Sequence, residues 1–233
     1  MSSKLRSSLL AVLVVSLMIP GVASAAPLAG AGTGRVTVIH GVPGVTVDVY
    51  VNGALTLPDF EPNTVTGALE LPEGNYDIEI FPANGDPNGT PIIAGSTFLP
   101  AGANASIIAH LTAAGAPTLS VFVNNLEDLA RTQARLVVRH TAAAPTVDVA
   151  LYRDRPAFFD KFVGLIPNLS NPHEVSLDVR PGKYFATLAP AGSPDPVFGP
   201  ANLDLGRRPV PLVYAIGSLT DGTFTLLVQT IDA

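Results

Sequence analysis

The chain has 233 residues, enough for two domains of roughly 100 residues behind a short leader. It has no cysteine, which excludes disulfides, thiol catalysis and lipid attachment through an N-terminal Cys. Only 14% of residues are charged and the net charge is −6, a balance that argues against nucleic acid or an anionic membrane surface as a partner, since both need basic patches.

In chain order, residues 1–25 read as a secretory signal peptide. Lys4 and Arg6 supply the positive start, Leu9 to Ile19 an apolar core too short to span a bilayer, and Ala23-Ser24-Ala25 a small-residue cleavage site. Cleavage is expected after Ala25, leaving 11 basic against 19 acidic residues and no stable membrane insertion. Residues 26–34 are a Gly- and Ala-rich flexible lead. A first domain spans 35–125, with strands expected near 35–40, 45–52, 64–71, 75–82, 91–98, 104–111 and 118–125. Twenty-one Gly and 22 Pro punctuate the chain and leave little room for long helices. Alternation is clearest in Val45-Thr46-Val47-Asp48-Val49-Tyr50-Val51, where the Val positions mark a buried face. Residues 126–134 lack Gly and Pro and read as a short, stiff linker, with Leu126 or Leu129 packing between domains. A second domain spans 135–233, with strands near 135–140, 146–152, 173–179, 183–189, 196–204, 210–217 and 223–231.

The two domains repeat one plan. Between 35–51 and 135–151, seven of 17 positions are identical, including Arg35/Arg135, His40/His140 and Thr46-Val47-Asp48-Val49/Thr146-Val147-Asp148-Val149. Gly74-Asn75-Tyr76 corresponds to Gly182-Lys183-Tyr184, and Leu119–Val123 is matched with Phe224–Val228. An insertion of about eight residues falls between 152 and 173 in the second domain. About seven strands per domain, with turns every 8–15 residues, is the rhythm of an immunoglobulin-like β-sandwich, so the fold class expected is all-β with two tandem sandwiches.

The run Arg35-Val-Thr-Val-Ile-His40, then Val47-Asp48-Val49-Tyr50-Val51-Asn-Gly53 and Leu71-Pro-Glu-Gly74-Asn-Tyr76, resembles the domain-of-unknown-function family 4397. The resemblance implies secreted prokaryotic β-domains, often in tandem, with no assigned activity. The second domain departs from the pattern, with Ala143 in place of Pro43 and Ala150 in place of Tyr50.

The residues that stand out are read first as structural. His40 and His140 share parity with the buried positions of their strands and are expected to bond a loop carbonyl or a carboxylate, fixing the next turn. Asp48 and Asp148 follow eight residues later. One His and one Asp per domain are too few for zinc, so no metal is expected, and no cofactor. Tyr76 and Tyr184 follow a turn Gly at a strand start, the placement of a tyrosine corner. The turn Asn84–Gly89 lacks the ligand pattern of a calcium loop. In the insertion, Phe158, Phe159, Phe162, Val163 and Ile166 stand near helical spacing, suggesting a helix of one or two turns. It either caps its own sandwich or, through Phe158, Phe159 and Phe162, forms an apolar docking patch.

None of the nucleophile, zinc-protease, phosphate-loop or dinucleotide motifs is present in the sequence. The expectation is therefore a non-enzymatic binding or structural module, secreted or held at the cell surface or periplasm, whose partner is an envelope protein or polymer. The alternative is an accessory domain of an extracellular hydrolase or carbohydrate-processing system.

Overall fold

The structure, a computed structural model, describes residues 32–154 and 161–232. Every regular element among them is a strand. The first half contains β1 (Thr33–His40), β2 (Val47–Val51), β3 (Ala54–Phe60), β4 (Thr64–Val65), β5 (Leu69–Pro72), β6 (Gly74–Pro82), β7 (Ile93–Leu99), β8 (Asn104–Leu111) and β9 (Pro117–Val123). The second contains β10 (Ala134–His140), β11 (Val147–Arg153), β12 (Lys161–Leu169), β13 (Glu174–Val179), β14 (Gly182–Pro190), β15 (Phe198–Leu205), β16 (Val210–Ile216) and β17 (Thr225–Ile231).

Each half is a β-sandwich of one outer and one inner sheet. The outer sheets run β3-β2-β6-β7 and β12-β11-β14-β15. The inner sheets run β4-β1-β8-β9, with β5 also on β1, and β13-β10-β16-β17. All pairs are antiparallel except β1 with β8 and β10 with β16. Alternation explains the outer strands: Val47, Val49 and Leu151 point inward, while Asp48, Tyr50 and Tyr152 lie on the opposite face.

The inner strands do not alternate. Seven of the eight residues of β8 are buried, as are all seven of β10 and of β16. They are covered on both faces, which yields continuous rather than alternating apolar runs. One face closes its own sandwich: Val36, Ala105 and Ile107 against Val49 and Ile80, and Leu136, Val138 and Val213 against Val149 and Leu188. The other faces meet each other. Ile39, Ile108 and Phe122 of the first half pack on Val137, Leu212, Tyr214 and Ile216 of the second, forming a third core between the sandwiches. Gly41 sits at this contact, where an added Cβ would lie 3.0 Å from the Ile216 side chain and 3.2 Å from the Ala109 carbonyl. In the linker, Leu129 packs against this third core, and Leu126 is exposed.

A polar network lies within the third core. Arg139, 1% exposed, donates to Glu174 (2.7 Å), to the Asn124 side-chain oxygen (2.7 Å) and to the Tyr214 hydroxyl. Its guanidinium lies over the Phe122 ring, 4.4 Å from the centroid. The Ser106 and Tyr214 hydroxyls both donate to Gln229 Oε1, at 2.8 and 2.7 Å. At the loop end, the Asn171 amide bridges the carbonyls of Leu111 and Ala142, one from each half, at 2.8 and 2.7 Å.

The structure corrects the sequence reading in four places. The helix expected through Phe158–Ile166 is a strand over its described part: β12 pairs with β11 along its length, and Gly164 and Pro167 disfavour a helix there. The strand expected over 64–71 is split into β4 and β5, which pair successively with β1. The match of Leu119–Val123 with Phe224–Val228 shifts by two residues: Ala109 opposes Leu119 and Ala215 opposes Leu226, so Leu119 corresponds to Leu226. The strand β3 also lay outside the expected set; it is the counterpart of β12, and the extra residues of the second half lengthen this hairpin, with seven and nine residues in β11 and β12 against five and seven in β2 and β3.

Candidate functional site

In each sandwich three side chains that recur at equivalent positions are committed to the backbone, His and Asp at the end where β2 or β11 begins and Tyr at the opposite end. The His40 Nε2–H donates to the Val45 carbonyl (2.8 Å) and Nδ1 faces the Val42 amide (3.4 Å). His140 does the same with Pro145 (2.9 Å) and Ala142 (3.4 Å). Each ring thus braces the loop leading into β2 or β11, in the tautomer carrying hydrogen on Nε2. Burial holds both imidazoles below the ordinary histidine pKa, which keeps Nδ1 free to accept.

Asp48 and Asp148 are clamps. The two Asp48 oxygens accept from the amides of Asp59 (2.8 Å) and Asn84 (3.1 Å). Those of Asp148 accept from Asn168 (2.7 Å) and Gly192 (2.9 Å). All four donors have positive φ, at 48°, 62°, 55° and 78° respectively. Each carboxylate therefore holds two left-handed turns, one on either side of its strand. The hydrogen bonds from Gly192 and Asn168 hold the Asp148 carboxyl below the usual carboxylate range. Asp59 and Asn168 each mark a bulge where β3 and β12 carry an extra residue against β2 and β11. A signal for these bulges was present in Leu57-Pro58-Asp59-Phe60 and Ile166-Pro167-Asn168-Leu169, which share the order apolar, Pro, Asp or Asn, apolar.

Tyr76 and Tyr184 donate to carbonyls four residues upstream, Pro72 at 2.6 Å and Arg180 at 2.5 Å. Their surroundings differ: Tyr184 is buried in its core, whereas Tyr76 is partly buried and lines a cavity.

Phe162 lies on the outer face of its sheet, 53% exposed. Its ring meets Tyr152 edge-on at 5.7 Å, and Tyr152 stacks on Phe185 at 5.0 Å. Phe158 and Phe159 lie outside the described residues. Among the described residues no three His, Cys, Asp or Glu side chains are grouped as metal ligands would be.

The cavity is the feature the sequence did not announce. It occupies about 270 Å³ between the two sheets of the first sandwich. Val36, Ala105, Ile107 and Leu119 wall it from the inner sheet, and Val49, Val51, Leu57 and Ile78 from the outer one. It reaches the edge where β7 and β9 run side by side, at Phe98, Val121 and Val123, which are 53, 40 and 65% exposed. Strand register equates Thr97, on its wall, with Leu203 of the second sandwich, and Ile93 with Phe198. Leu203 and Phe198 pack into the second core, and Phe198 meets Phe224 edge-on at 5.0 Å. Bulkier side chains thus occupy that edge of the second interior.

No curated protein matches the chain in sequence. Among solved structures, the Bacillus anthracis TIE protein is similar at 12% identity and a TM-score of 0.26, covering 78% of this chain. The chain spans about a third, 33%, of that protein's length. The model of a domain of unknown function, DUF4397, matches residues 34–150, which take in nearly all of the first sandwich, β10 and the start of β11, and the chain belongs to that family.

Proposed function

We propose that the chain is an exported, non-enzymatic binding or structural module of the cell envelope, built from two tandem copies of the DUF4397 domain. The observation that carries this reading is the commitment of the repeated motif. His40, Asp48 and Tyr76, and their partners His140, Asp148 and Tyr184, spend their polar atoms on backbone groups that fix turns. A side chain so engaged is a strut; activating a nucleophile or moving a proton would require it to release the turn it holds. The second copy is supported by equivalent bonds at equivalent positions, despite its departures at Ala143 and Ala150. The leader-like first 25 residues support export.

The test is adsorption of the purified protein to isolated cell-wall and membrane fractions, with peptide and polysaccharide turnover measured alongside. Saturable adsorption without turnover is the expected result. Turnover that disappears in His40→Gln or Asp48→Asn, with the fold retained, refutes it in favour of an accessory catalytic domain.

A further inference from the structure

We propose that the hollow interior of the first sandwich binds the alkyl tail of an amphiphile, an uncharged chain of about ten carbons whose head group stays in water at the β7–β9 edge. The proposal rests on the reading of the chain as a binding module and names what one of its halves takes up.

Size comes first. An apolar cavity of roughly 150 Å³ holds one benzene ring, so the space of about 270 Å³ here matches a chain of about ten carbons. Chemistry comes second. No charged side chain lines the cavity, and all but one of its polar side chains are engaged: His40 with the Val45 carbonyl, Tyr76 with the Pro72 carbonyl, Thr56 with the Ala54 carbonyl, and the Asn52 side-chain oxygen with the Asp77 amide, which leaves the Thr97 hydroxyl. A carboxylate or ammonium drawn inside would lose its water and gain at most the Thr97 hydroxyl and no counter-charge, so only the tail enters. The same reasoning disfavours a peptide, whose backbone N–H and C=O would go inside unpaired, since the amides of the central strands β2, β6 and β8 serve their own ladders. Access comes third. Phe98, Val121 and Val123 place exposed apolar surface at the mouth, continuous with the walls. The second sandwich provides an internal contrast, with Leu203 in place of Thr97.

The experiment is a methyl-resolved NMR titration of the purified protein with hexyl, octyl, decyl, dodecyl and hexadecyl maltosides below their micelle thresholds. Decanoate, decyltrimethylammonium and an apolar decapeptide serve as head-group and peptide arms. Affinity should rise about fourfold per methylene up to decyl and level off beyond it, with shifts centred on Val49, Ile107 and Leu119. Thr97→Leu should weaken decyl binding by about tenfold while leaving the melting temperature equal or higher, since a buried methyl group now fills the site. Leu203→Thr in the other sandwich should leave it unchanged. Val123→Asp, at a solvent-facing mouth position, should weaken decanoate more than decyl maltoside. The proposal is overturned by the absence of saturable shifts with every alkyl arm, by affinity that keeps climbing to hexadecyl as surface adsorption would, by undiminished binding in folded Thr97→Leu, or by binding of the peptide alone. Failure here with adsorption to envelope fractions intact would sink the alkyl site and leave the module reading standing. Alkyl binding without envelope adsorption would do the reverse.

Discussion

Arg139 offers the sharpest test of how the two halves are joined. It is 1% exposed, and its guanidinium donates to Glu174, Asn124 and Tyr214 between the inner sheets. Arg139→Met keeps much of the aliphatic volume and deletes the charge. Removing one partner of a buried pair costs about 3–5 kcal/mol, because the other partner is left uncompensated. Here two of the three remaining groups have refuges. The Glu174 side chain is 36% exposed and can turn to water, and Tyr214 keeps Gln229; Asn124 Oδ1 loses its donor, because the Ser106 hydroxyl hydrogen goes to Gln229. The expected loss therefore falls at the low end, about 3 kcal/mol, or roughly 6–12 °C in melting temperature for a protein of this size. The Arg35–Glu70 pair is the control, since both side chains are more than half exposed, 61 and 65%. Arg35→Met should cost less than about 1 kcal/mol. Equilibrium unfolding in urea, supported by calorimetry, measures both. If Arg139→Met loses no more than Arg35→Met, the third core is not held by this network and the argument fails.

Two further outcomes follow from single groups. Burial lowers the pKa of His40, His110 and His140, so each binds a proton more readily when unfolded. Their contribution to stability is whole above about pH 6.5 and is lost as the pH falls through the lower folded values; a melting temperature that stays flat from about pH 7 to 5 would contradict this. Tyr184→Phe should cost about 0.5–1.5 kcal/mol through its lost corner bond, and Tyr76→Phe, whose corner is exposed, should cost less. Urea midpoints in the reverse order would show that the two corners are not comparable.

Some of this was legible in the sequence and some was not, for physical reasons. The Val45–Val51 alternation marks a strand with one buried face because period two is a local signal. The repeated His and Tyr pointed to turns because each bonds a carbonyl four or five residues away, whereas Asp48 and Asp148 clamp amides 11 to 44 residues away and carried no such local signal. Strand β12 was hidden because a short apolar run fits either period, and Gly164 and Pro167 carried the contrary signal. The paired Leu57-Pro58-Asp59-Phe60 and Ile166-Pro167-Asn168-Leu169 would have aligned β3 with β12, but Pro inside an apolar run speaks against a strand unless it is an edge strand, as both are. Of the third core, only Leu129 in the linker was marked in the sequence. Arg139 replaces Ile39 of the first half and reads as a surface charge, because Asn124 and Tyr214 lie 15 and 75 residues away along the chain. The cavity depends on the spacing of two sheets, which no stretch of sequence encodes by itself.

The hollow first sandwich and the covered inner sheets are connected energetically. Unfilled apolar space costs about 24 cal/mol per Å³, so a cavity of about 270 Å³ forgoes about 6 kcal/mol relative to a filled core. A single domain has about 5–15 kcal/mol of stability in total, so an isolated sandwich of roughly 100 residues with that void would stand near its limit. The second sandwich changes the balance. It covers Ile39, Ile108 and Phe122, side chains on the inner-sheet face turned away from the first sandwich's own core, and turns that face into core. Duplication thus separates two demands that conflict within one sandwich. The second half, with Tyr184, Leu203 and Phe198 packed inside, supplies cohesion, and the first can keep open a space that a lone module of its size would be driven to fill.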